Sequence, residues 1–109
     1  MTFEDDRRSA PRSSANARGV VVAPGLELAC LIVDQSNSGV RLRLDRNLAL
    51  PARVIVVDIA QATAVEAEVV WRKGQEAGVK RVAAALSLRG LVPSRLAAAR
   101  DALMRAGGR

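Results

Sequence analysis

The sequence predicts an all-β fold, a small sandwich or barrel, followed by a single C-terminal α-helix. Three observations predict it. Short stretches rich in Val, Ile and Leu recur between residues 19 and 83, several of them alternating apolar with polar residues. Short turn-forming clusters separate most of them, which argues against alternating β–α units. After Pro93 the apolar period changes from that of a strand to that of a helix.

Residues 1–18 carry no strong period. Glu4, Asp5 and Asp6 precede Arg7 and Arg8, and Pro11 and Arg12 come after them, so the stretch is expected to be a flexible, exposed arm. Residues 19–23 (GVVVA) are β-branched and run into the turn pair Pro24-Gly25. Residues 27–33 (ELACLIV) supply a second strand, so the two form a hairpin. Residues 34–39 (DQSNSG) are a polar turn cluster in which Asp, Ser and Asn bond their own backbone and Gly39 accepts a positive φ. Residues 40–44 (VRLRL) alternate cleanly: Val40, Leu42 and Leu44 share one face, Arg41 and Arg43 the other.

A connection over residues 45–51 leads to the largely apolar strand 53–59 (RVIVVDI). In residues 64–72 (AVEAEVVWR), alternation puts Val65, Ala67, Val69 and Trp71 on one face against Glu66 and Glu68. Trp71 is therefore expected in the core rather than stacked on a ligand. Lys73-Gly74-Gln75 turns the chain into a sixth strand, residues 77–83 (AGVKRVA). Within the tail, residues 93–106, Ser94 is expected to cap a helix in which Leu96, Ala99 or Arg100, and Leu103 recur at helical spacing, and Gly107 and Gly108 stop it. A helix this short is marginal alone, so it must dock on the sheet or on a partner.

Composition narrows the chemistry. At 109 residues the chain suits one domain rather than two. The aromatics are Phe3 and Trp71, so the core is built from Val, Leu, Ile and Ala. Without His, imidazole acid–base catalysis and His metal sites are excluded, and the single Cys30 forms neither an internal disulfide nor a zinc cluster. Cys30 reads as a small buried hydrophobe. The N-terminus is charged and polar, and no apolar run reaches membrane-spanning length, so a soluble cytoplasmic protein is expected. Fifteen Arg and two Lys against 11 acidic residues give +6, which favours an anionic partner.

Two short motifs stand out together. Arg8-Ser-Ala-Pro-Arg12 has the form RxxxR ahead of the first strand, and Asp34-Gln-Ser36-Asn-Ser-Gly39 has the form DxSxxG between the second and third strands. With VVWRKG followed by AGVK, they resemble the PilZ domain family over roughly residues 6–83. The resemblance implies a six-stranded antiparallel β-barrel spanning residues 19–88, preceded by the arm 1–18 and followed by the helix 93–106. It also implies cyclic di-GMP as ligand. Arg8 and Arg12 would clamp phosphates and guanine edges, with Arg7 as an accessory contact. Asp34 and Ser36 would reach guanine and ribose or phosphate, and Gly39 would shape the backbone. The physical chemistry agrees with those roles. A guanidinium grips a phosphate or the guanine O6/N7 edge at two points, and an ionised Asp accepts from guanine N1–H and its amine. Arg41, projecting from the third strand, is a further candidate.

The leading expectation is a sensor in which binding orders the arm against the barrel and a downstream protein partner reads the change. The alternative is an adaptor of the same fold that acts through protein contacts alone. Nucleic-acid binding ranks below both, because the exposed aromatics of a single-strand binder and a helix-turn-helix pattern are missing. An enzyme ranks last: Asp34, Asp45 and Asp58 have no base or metal arrangement around them. The oligomeric state is open.

Overall fold

The computed structural model describes residues 17–35 and 39–107. The expectations placed on Arg7, Arg8, Arg12 and Ser36 fall outside those residues. The described chain forms β1 (Ala17–Ala23), β2 (Leu26–Gln35), β3 (Gly39–Leu44), β4 (Arg53–Asp58), β5 (Thr63–Lys73), β6 (Glu76–Arg81) and β7 (Leu86–Ser87). A single 3-10 turn (Ser94–Leu96) then leads into α1 (Ala97–Arg105).

The strands lie in the order β4-β1-β2-β3-β6-β5, and β5 returns to pair with β4. All these pairings are antiparallel, so the sheet closes into a six-stranded barrel. The expected six strands are therefore present, and β7 is an addition: its two residues pair with Thr63 and Ala64 at the start of β5. Two residues are too few to show a period, so periodicity could not reveal this strand.

Two apolar clusters hold the fold. One fills the barrel and includes Val21, Leu28, Ile32, Leu42, Leu44, Val56 and Val79. The other lies outside the barrel, where α1 covers the outer face of β1 and β4. There Leu96, Ala99, Ala102 and Leu103 pack with Val20, Val22, Val57 and Leu88. This explains why GVVVA does not alternate. Val21 faces the interior while Val20 and Val22 lie beneath the helix, so both faces of β1 are buried. The two faces of β4 divide in the same way, with Val54 and Val56 inward and Val57 under α1.

The helix does dock on the sheet, but Ser94 does not cap it. A 3-10 turn intervenes, neither start is capped by a side chain, and Leu96 N donates to the Pro93 carbonyl at 2.8 Å. Because α1 begins only at Ala97, the Ser94 hydroxyl sits too early in the chain to serve its first free amides. Polar ties hold the 3-10 turn and the C-terminal end of the helix instead. Arg95 Nε donates to Glu66 Oε2 at 3.1 Å, and Arg105 forks onto both oxygens of Glu27 on β2, with Nε donating to each at 3.1 Å. That fork holds the Glu27 carboxyl below its ordinary value. Among the described residues, no helix is long and apolar enough to cross a membrane.

Candidate functional site

Two β-bulges set the outer face of the β2-β3-β6-β5 sheet. In β2 the register shifts between Ile32 and Asp34, leaving Val33 as the extra residue. In β5 it shifts between Val69 and Trp71, leaving Val70 as the extra residue. A bulge inserts one residue and so reverses which face the subsequent side chains take. Ile32 pairs with Leu42 and both face the core, but Asp34 pairs with Arg41, whose side chain points outward. Similarly Val69 pairs with buried Val79, but Trp71 pairs with Gly78.

The expectation that Trp71 lies in the core is thus overturned: it is 41% exposed, on the outside of the barrel. Simple alternation failed because Val70 occupies an additional place in the strand, itself 55% exposed. A signal was available in the sequence. The doubled Val69-Val70 before Trp71, like Ile32-Val33 before Asp34, interrupts the period of two.

The register then joins four strands into one row. Asp34 lies opposite Arg41, Arg41 opposite Gly78, and Gly78 opposite Trp71. At the usual strand spacing the row spans about 14 Å. These residues line an open groove of about 500 Å³ together with Gly39, Val70 and Lys80. Of the residues expected to form a site, Asp34, Gly39 and Arg41 are brought together here; Arg7, Arg8, Arg12 and Ser36 lie outside the described residues. Trp71, Gly78 and Lys80 are additions that sequence reasoning missed.

Gly39 is needed for a reason other than the expected one. It lies inside β3, in extended pairing with Lys80, not in the turn. A Cβ there would come 2.9 Å from the Val79 carbonyl oxygen, so close approach of the strands excludes a side chain. Next along the same face, Arg43 pairs with Glu76 at 3.7 Å. Among the described residues no carboxylate stands within ion-pair distance of Arg41 or Lys80. The groove thus offers two cations, one acidic acceptor and one aromatic surface, a combination suited to an anionic ligand that carries a planar base.

The family model for the PilZ domain matches residues 6–92. The chain belongs to the PilZ domain family. The matched span contains the whole barrel and the groove, while α1 lies beyond it. No curated protein and no solved structure matches the chain. PilZ domains are sensor and adaptor modules rather than catalysts, so this PilZ domain is not an enzyme. The exposure of Trp71 also corrects one premise used against nucleic-acid binding. A single aromatic beside an acidic Asp34 still falls short of the repeated stacking platforms of a single-strand binder.

Proposed function

We propose that this PilZ domain is a cytoplasmic cyclic di-GMP sensor, with the ligand held between the Arg8–Arg12 segment and the outer groove of the barrel. The observation that carries the reading is the row Asp34–Arg41–Gly78–Trp71, which puts a carboxylate, a guanidinium and an indole on one face. In this reading Asp34 accepts from guanine N1–H and the exocyclic amine. Arg41 contacts a phosphate, Ser36 reaches ribose or phosphate, Gly39 lets β3 approach β6 closely beside them, and Trp71 stacks on a base. Arg8 and Arg12 close over the phosphates and the second guanine, with Arg7 beside them.

Chain geometry supports that closure. The first pair of the β1–β2 hairpin joins Ala17 to Ile32, two residues before Asp34. Arg12 is five residues upstream of Ala17, a span of up to ~17 Å if extended, enough to return to the groove. Ordering this segment on the barrel would alter a surface that a downstream protein reads.

Calorimetric titration of cyclic di-GMP into the full chain tests the reading, with Trp71, the only tryptophan, as an internal fluorescence reporter. Saturable heat and a change in Trp71 emission are expected, both weakened by Arg8→Ala or Arg12→Ala. Folded protein that gives neither signal at tens of micromolar nucleotide refutes it.

A further inference from the structure

The contact between Trp71 and Gly78 has a consequence for the groove. The two residues face each other across the β5–β6 ladder. The five-membered ring of Trp71 occupies the space that a Cβ on residue 78 would fill, with Nε1, Cε2 and Cδ1 the nearest atoms. Aromatic side chains commonly cover a glycine across a strand pair in this way, gaining contact with the exposed backbone. Any residue other than Gly would push the ring off the sheet. Meanwhile Val70, the extra residue of the bulge, keeps Trp71 from turning into the barrel.

We infer that Gly78 is a positioning residue: by lacking a side chain, and acting with the Val70 bulge, it seats the Trp71 ring across the sheet as the base-stacking floor of the groove. This rests on the proposed nucleotide binding. Gly78 offers no side chain of its own to the ligand; it sets affinity by fixing where the indole lies. The free protein therefore already holds its aromatic surface in place, and binding need not spend ligand affinity on ordering it.

The experiment uses the full chain as Gly78→Ala, Trp71→Ala and the double variant. Cyclic di-GMP affinity is measured by calorimetry and fold integrity by circular dichroism. Trp71→Ala is expected to weaken binding by about five- to 150-fold, the range for loss of one base–aromatic stack. Gly78→Ala is expected to weaken it by a comparable factor while remaining folded, and to change the Trp71 emission of the ligand-free protein. The double variant should be no weaker than Trp71→Ala alone, because both changes remove the same surface.

A folded Gly78→Ala protein that binds as tightly as the unsubstituted chain overturns the inference, as does a double variant whose loss is the product of the single losses. Should Gly78→Ala fail to fold, proton NMR of the unsubstituted chain decides. An upfield ring-current shift of the Gly78 Hα protons that disappears in Trp71→Ala supports the seating, and unshifted protons overturn it. If the unsubstituted chain takes up no nucleotide, the sensor reading falls and the stacking role with it. The seating of the ring is then judged on the Hα shift alone.

Discussion

Arg41 and Leu42 are neighbours on β3 with opposite duties, so two alanine substitutions one residue apart should separate binding from folding. Leu42 is fully buried in the barrel, paired with Ile32 on one side and Ala77 on the other. Its truncation removes apolar burial and leaves a cavity among close-packed strands, a cost of ~2–5 kcal/mol. Against a total stability of ~5–15 kcal/mol, this lowers the unfolding midpoint by on the order of 10 °C or more. Arg41 is exposed, with no carboxylate partner among the described residues, so Arg41→Ala should change stability by no more than ~0.5 kcal/mol. If it contacts a phosphate of the ligand, its loss removes a charged hydrogen bond of ~1.5–3 kcal/mol, roughly a ten- to hundredfold rise in Kd. Thermal unfolding followed by circular dichroism and calorimetric titration of cyclic di-GMP read the two effects separately. Arg41→Ala protein with an unchanged midpoint and unchanged affinity would remove Arg41 from the site. A large fall in its midpoint would mean that the two faces of β3 are wrongly assigned.

Three further expectations concern the scaffold. Leu103→Ala, which opens the packing between α1 and the barrel, should cost ~2–5 kcal/mol while leaving nucleotide affinity within about twofold, as read by urea denaturation beside calorimetry. Glu27 is held below its ordinary value of 4.5 by the Arg105 fork, so its stabilising contribution is fully present above that pH and fades as pH falls through the lowered folded-state value. A Glu27→Gln variant should therefore show a shallower loss of stability on acidification, and an identical acid limb would contradict the fork. Burial pushes the Cys30 thiol up to about 12, so a thiol-specific reagent at pH 8 should label native protein only through unfolding; rapid labelling of the folded chain would refute its placement.

Much of the barrel was legible because strand patterning is local. VRLRL declares its two faces within five residues, and the structure buries Val40, Leu42 and Leu44 while exposing Arg41 and Arg43. The site was legible in part. Motif and alternation point to Asp34, Gly39 and Arg41, yet Gly39 is required for close approach to Val79 rather than for a turn. Alternation misplaces Trp71, and the capping pattern assigns Ser94 a bond it does not make. In each case one extra residue or one short turn shifts the rest of the element.

The sequence by itself determined where the six barrel strands form, to within a residue or two at their ends, and that the tail must be a helix needing cover, because these depend on short-range periodicity and turn chemistry. Tertiary structure alone decided which strands meet. It closed β5 onto β4 and laid α1 over Val20, Val22 and Val57, and it aligned residues 34, 41, 78 and 71 in one row. Register between distant strands is a property of the hydrogen-bonded pair rather than of either segment, so a bulge that turns one side chain outward is fixed only when its neighbour is in place.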